Sequence, residues 1–198
     1  MTVNVLFIQG AGEGAHAEDA LLADSLRAEL GAGFDVHFPA MIDEDDAQLD
    51  VWSRQIDEAI ASMDGDVIAV GHSVGASILA KHLSEAELDS RIVAIFLLAT
   101  PFWSGEGIWT WEEGKLERSA AERLSRRVPV FLYHCEDDEV VPFGHLRPNA
   151  DFLRDATVRV LPTGGHQFGN DLAVVARDIR SVVRDAPTSD LEPGNPVR

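Results

Sequence analysis

Three kinds of side chain that together make a hydroxyl reactive occur along this chain in the order serine, carboxylate, histidine: Ser73, then Asp137 and Asp138, then His166. A serine hydroxyl is a poor nucleophile until a histidine takes its proton. That histidine in turn needs a carboxylate to fix its tautomer and stabilise its charge. Ser73 lies in Gly71-His72-Ser73-Val74-Gly75, after the apolar run Val67 to Val70 and before Ala76-Ser77-Ile78-Leu79-Ala80-Lys81-His82-Leu83. The stretch reads as a strand, an abrupt turn and a helix. Such a turn holds the serine in a strained backbone conformation with its hydroxyl raised above the sheet edge. Gly71 and Gly75 let the new helix pass close to the neighbouring strands. The unpaired N–H groups at the helix start can hold an oxyanion.

The elements that must position these groups are legible in the hydrophobic pattern. Val67 to Val70 is apolar at every position, as central parallel strands covered on both faces are. Val3 to Ile8 makes a first strand that runs into Gln9-Gly10-Ala11-Gly12-Glu13-Gly14. Leu21, Leu22, Leu26 and Leu30 then recur at helical spacing, with Gly31 and Gly33 as a stop. A second strand spans Phe34 to Phe38. The acidic run Asp43-Glu44-Asp45-Asp46 precedes a helix carrying Leu49, Trp52, Ile56, Ile60 and Met63, and reads as its solvated N-terminus. Ile92 to Ala99, Val128 to His134 and Thr157 to Leu161 give the remaining strands. Helical patterns lie around 117–126 and 143–154, and a last helix is expected from about Asn170 to Arg184.

Strands alternating with helices, most strands wholly apolar, define an α/β class with a doubly wound, mostly parallel six-stranded sheet. Right-handed crossovers place Ser73 near the point where the strand order reverses, and open α/β sheets bind ligands there. Residues 1–185 are expected to form one domain, and 186–198, with three prolines and little apolar content, a flexible tail.

In sheets of this type the three groups come in the order Ser, Asp, His, each on a loop after a strand. The fifth strand is followed by Cys135-Glu136-Asp137-Asp138-Glu139-Val140-Val141-Pro142, and the sixth by Pro162-Thr163-Gly164-Gly165-His166-Gln167-Phe168. Local spacing leaves Asp137 and Asp138 both open as the carboxylate.

Gly71-His72-Ser73-Val74-Gly75, Asp137-Asp138-x-Val140-Val141-Pro142-Phe143 and Gly164-Gly165-His166 resemble the three signatures of the α/β-hydrolases. The compact length, without room for a cap domain, is similar to the small serine hydrolases of the retinoblastoma-binding type. This likeness spans about residues 3 to 184 and implies Asp138, four residues before Pro142, as the acid. It implies an oxyanion hole from the amides of Val74 and Ala11, with Gly10 beside them. Two departures stand out. Gln9-Gly10 replaces the His-Gly of many relatives, so the brace of that loop differs, and Cys135 stands where glycine is frequent and could crowd the acid loop.

Other readings of the same residues are weaker. Gly10-Ala11-Gly12-Glu13-Gly14-Ala15 fits a dinucleotide fingerprint, but the second strand ends in His37-Phe38-Pro39, without a ribose-binding acid. His16 is expected at a helix-start surface, His72 as a packed or hydrogen-bonded neighbour, and His82 and His145 as surface or packing residues. His134, Cys135, Glu136 and Asp137 leave a strand in alternating directions and do not converge on a metal. Cys135 has no base placed beside it to make it a nucleophile. After the fourth strand, Phe102 and Trp103 are expected to line a substrate pocket. Trp109 and Trp111 are open between pocket wall and core.

A net charge of −18 excludes nucleic acid and anionic membrane as partners, since phosphate binding needs clustered Lys and Arg. No segment is long enough to span a membrane, and the start of the chain has no basic region before its apolar run. Cys135 is the single cysteine, which rules out an internal disulfide and fits a reducing, cytoplasmic setting. The expectation is a serine hydrolase acting on a small ester-type molecule (or an amide or thioester) through an acyl-enzyme, with Ser73, Asp138 and His166 and no cofactor or metal. The alternative is a binding protein that keeps the fold without the chemistry.

Overall fold

The structure is a computed structural model that describes residues 2–103 and 106–185; the tail expected at 186–198 lies outside them. The elements follow in the order β1 (Val3–Ile8), α1 (Ala15–Leu30), β2 (Phe34–His37), α2 (Leu49–Ala61), β3 (Val67–His72) and α3 (Ser73–Glu85). Then come β4 (Ile92–Leu98), α4 (Arg118–Arg127), β5 (Val130–Cys135), α5 (Leu146–Phe152), β6 (Thr157–Leu161) and α6 (Ala173–Asp185). The six strands form one sheet in the order β2-β1-β3-β4-β5-β6, every neighbour parallel. The register places Phe7 opposite Val70, Val70 opposite Phe96 and Phe96 opposite Phe131.

Because the inner strands are largely apolar, both faces are sealed. On one face Leu6, Ile8, Ala69, Ile95 and Leu97 pack with Trp52, Ile56, Ile78, Leu79 and Leu124 from α2, α3 and α4. On the other, Val5, Phe7, Ile68, Val70 and Phe96 pack with Leu22, Leu26, Val175 and Ile179 from α1 and α6. The winding runs outward from β1 to β2 on one side and from β3 to β6 on the other. The loops that leave β1 and β3 therefore adjoin at the reversal, and these are the loops that carry Ala11 and Ser73. The segment between β4 and α4 is too short for a cap domain, and its described residues include an isolated bridge, Glu106 to Trp109.

Several boundaries differ from the sequence pattern. β3 continues through Gly71 and His72, beyond the apolar run. Leu21 is 53% exposed, so the buried stripe of α1 is Leu22, Leu26 and Leu30. The helix expected over 143–154 is a 3-10 turn (Phe143–His145) followed by α5. Pro148 has no N–H for the Gly144 carbonyl, and its ring would clash there, so α-helical bonding cannot run through this stretch. The last helix starts late because Phe168, Gly169 and Asn170 all have left-handed φ (51°, 61° and 58°). No helix among the described residues is long and apolar enough to cross a membrane.

Candidate active site

Ser73 is the first residue of α3 and has φ 52°, a left-handed conformation that a serine adopts only when its surroundings enforce it. The surroundings here are two close approaches. A Cβ on Gly75 would lie 2.0 Å from the Gln9 carbonyl oxygen, and one on Gly71 would lie 2.7 Å from Ala76 Cα. Only glycine at both positions lets α3 start hard against the ends of β1 and β3. The Val74 amide belongs to the first turn of α3, where N–H groups have no partner within the helix.

The two adjacent aspartates turn in different directions. Asp138 is buried, and its Oδ2 accepts from His166 Nδ1 at 2.9 Å. Its Oδ1 accepts from the Val140 and Val141 amides, both at 2.9 Å. Burial pushes the Asp138 carboxyl up, but the His166 hydrogen bond and charge, with the two amides, more than offset it and hold the group below its ordinary value. Asp137 points elsewhere and accepts from Gly164 and Gly165 N–H at 3.2 and 2.8 Å, fastening the loop that carries His166. His134 Nε2 lies 3.5 Å from Asp138 Oδ2 and donates to the Val141 carbonyl at 2.8 Å; burial lowers its pKa. Cys135 fits without crowding because Gly164 opposite it lacks a Cβ, which would lie 3.1 Å from Sγ. Burial pushes the Cys135 thiol up to about 11, so it is an inert filler. Among the described residues no group of three or more His, Cys, Asp or Glu could hold a metal ion.

The glycine-rich loop corrects three expectations. The Gly10 amide donates to Asp19 Oδ2 at 2.7 Å and is not available to an oxyanion. The acidic run is not simply a solvated helix end, because α2 starts only at Leu49 and Glu44 reaches back to the loop. Its carboxylate accepts from Gln9 Nε2 (2.6 Å), His16 N (2.8 Å) and Gly14 N (3.0 Å). The His16 amide bond, with those of Gln9 and Gly14, outweighs desolvation and holds the Glu44 carboxyl below its ordinary value. Gln9, fully buried, also accepts from the Met41 amide at 3.1 Å, so it is the brace that stands in for a histidine. Finally, His16 is half-buried and stacks on Phe38 with ring centroids 4.5 Å apart, rather than sitting on an open surface. Amides that a dinucleotide pyrophosphate would need are thus taken by the protein's own carboxylates.

His72 is the hydrogen-bonded neighbour the sequence suggests, bonded to Asp19 and to the His166 carbonyl. His82 pairs with Asp57 at 2.7 Å on the surface, and His145 accepts from the Phe102 amide at 2.9 Å. A cavity of about 560 Å³ opens beside Ala11 and Val74, walled by Trp103 and Trp111 and rimmed by Asp45, Asp46, Glu112 and Glu113. Phe102, expected as lining, and Trp109, open between wall and core, do not line it. Phe102 packs edge-on against Phe152 (5.2 Å), and Trp109 lies edge-on to His145 (4.4 Å). A larger cavity, about 640 Å³, lies at the opposite end of the sheet among Ile92, Val128, Phe131 and Val182, away from the loops that carry Ser73 and His166.

This fold, with an elbow after β3 and acid and histidine loops after β5 and β6, defines an α/β-hydrolase. The chain belongs to the serine hydrolase family, whose profile matches residues 28–170. No curated protein sequence matches it. Among solved structures it is similar to the meta-cleavage product hydrolase CumD of Pseudomonas fluorescens IP01, with 13% identity over 93% of this chain and 92% of that one and a TM-score of 0.70. The ydeN gene product of B. subtilis gives 18% identity, 93% and 100% coverage and a TM-score of 0.68. Mouse alpha/beta hydrolase domain-containing protein 10 gives 17% identity, 94% and 92% coverage and a TM-score of 0.64. At these identities the likeness is one of fold.

Proposed function

We propose that the protein cleaves a small carboxylic ester, or less readily an amide or thioester, through an acyl-enzyme on Ser73. The observation that carries this is the 2.9 Å bond from His166 Nδ1 to Asp138, on loops that adjoin a strained Ser73. His166, its Nδ1–H fixed on Asp138, has Nε2 free as a base. Ser73 Oγ attacks the carbonyl carbon as Nε2 takes its proton, and the amides of Val74 and Ala11 hold the resulting oxyanion. Collapse expels the leaving alkoxide, which takes the proton from His166. Water, deprotonated by the same nitrogen, then attacks the acyl-enzyme and frees the acid. No cofactor enters the cycle. The cavity beside Ala11 and Val74 is walled by two tryptophans and rimmed by four carboxylates, which favours short, uncharged acyl groups and disfavours anionic ones. The finer likeness to the retinoblastoma-binding type of serine hydrolase, and a reducing cytoplasmic setting, belong to this proposal.

The test is labelling with a fluorophosphonate probe, wild type beside Ser73→Ala and His166→Ala, with hydrolysis of p-nitrophenyl acetate and butyrate in parallel. Labelling and turnover by wild type alone are expected. A folded wild type that neither labels nor turns over would sink the hydrolase reading and leave a binding protein on the same fold.

A further inference from the structure

We infer that His72 is a buried imidazolium, paired with the Asp19 carboxylate, and that this pair is a positioning clamp joining the oxyanion loop to the loop that carries His166. Both side chains are 1% exposed. His72 Nδ1 lies 2.9 Å from Asp19 Oδ2, and His72 Nε2 lies 3.0 Å from the His166 carbonyl oxygen. A carboxylate and a peptide carbonyl only accept. A neutral imidazole has one N–H, so one ring nitrogen would turn its lone pair onto an acceptor in a site closed to water. Two acceptors require two donors, which only the doubly protonated ring supplies.

The carboxylate is equally committed. Asp19 Oδ2 also accepts the Gly10 amide at 2.7 Å, and Oδ1 accepts from Gln167 Nε2 at 3.0 Å. Burial pushes the Asp19 carboxyl up, but the His72 charge and hydrogen bond, with the Gly10 and Gln167 bonds, outweigh it and keep the group ionised. The other titratable groups facing His72 are the His166 ring, with centroid 4.6 Å away, and His134 at the end of β5. The edge of Phe168 closes the remaining side.

The clamp touches each part of the proposed machinery without contacting substrate. It draws the Gly10 amide inward, toward α1, beside Ala11. It holds the backbone of His166 and, through Gln167, the residue after it. It does this from the residue immediately before Ser73. Asp19 and His72 are therefore positioning residues, and their kinetic role rests on the hydrolase reading.

The first readout is independent of activity. In ¹⁵N-labelled wild type, long-range imidazole spectra at neutral pH are expected to show an N–H on both His72 nitrogens, one toward Asp19 and one toward the His166 carbonyl. His72→Gln assigns the signal. In Asp19→Asn, which keeps the shape and removes the charge, that signature is expected to vanish. The kcat for p-nitrophenyl acetate is expected to fall about 10- to 100-fold with KM within about twofold, as misplacement of reacting groups does. A neutral His72 in wild type overturns the inference, as does a folded Asp19→Asn with wild-type kcat. If Asp19→Asn does not fold, the wild-type spectrum still decides the protonation state. A wild type without hydrolase activity but with the imidazolium signal refutes the hydrolase reading and upholds the ion pair.

Discussion

Replacing Glu44 by glutamine tests whether the oxyanion loop is held from outside. The carboxylate accepts three hydrogen bonds, two on Oε2 (from Gln9 and His16) and one on Oε1 (from Gly14). A glutamine oxygen placed at Oε2 keeps the first two as neutral bonds, but its NH₂ then faces the Gly14 N–H, donor against donor. One charge-assisted bond is lost, at about 1.5–3 kcal/mol, and two weaken by about 1 kcal/mol each. Glu44 is half-buried, so solvent competes for these groups and the net loss is set at about 1–2 kcal/mol. For a chain of this size that lowers Tm by about 3–6 °C. Esterase kcat is expected to fall about tenfold, because the Ala11 amide rides on the loop that loosens. The pH dependence follows from the sign of the shift. Glu44 titrates lower in the folded chain than its ordinary value, so its contribution is present above about pH 4.5 and is lost as pH falls through the folded value. The Tm gap between wild type and Glu44→Gln should therefore be full at pH 7 and close on acidification below about pH 4. Equal Tm and equal kcat at pH 7, or a gap that does not change with acid, would refute the role of Glu44 in holding the loop.

Two further outcomes follow from the same loops. Asp138→Asn is expected to cut kcat by about 10³- to 10⁴-fold through loss of the His166 tautomer, whereas Asp137→Asn loosens only the Gly164–Gly165 turn and stays within about tenfold; steady-state ester hydrolysis reads both, and the reverse order would reassign the acid. Cys135 should resist iodoacetamide at about pH 8 in the native protein and label fully in denaturant. Because burial lifts this thiol to about 11, its contribution to stability is present below the ordinary thiol value and is lost as pH rises toward 11, which denaturant titration at alkaline pH would show.

The sheet was legible because most of its strands are largely apolar runs, and the order Ser73, Asp138, His166 was legible because each follows a strand. Local spacing did not separate Asp137 from Asp138; only the family likeness pointed to Asp138. Adjacent residues on a turn look alike in sequence, and only their opposite directions separate the one that meets His166 from the one that ties Gly164 and Gly165. Nor could Asp19, Glu44 or Gln9 be found from local pattern. Asp19 meets His72 across 53 positions of chain and Gln9 meets Glu44 across 35, so each looks like an ordinary polar residue until the sheet closes. The one available signal was negative: Gln9 at a position where the loop needs a brace. The pocket walls misled for a similar reason. Phe102 lies close after a strand end, but its ring is claimed by Phe152 and its amide by His145.

The strand order also carries a consequence for biosynthesis. From β4 onward each strand pairs with the one made just before it, so this half of the sheet can grow outward as the chain leaves the ribosome. The elbow at Ser73 comes early in that growth, and the His166 loop comes after the outermost strand. A nascent chain thus holds its proposed nucleophile long before it holds the base that would arm it, and stalled or truncated products ending before β6 would be chemically silent.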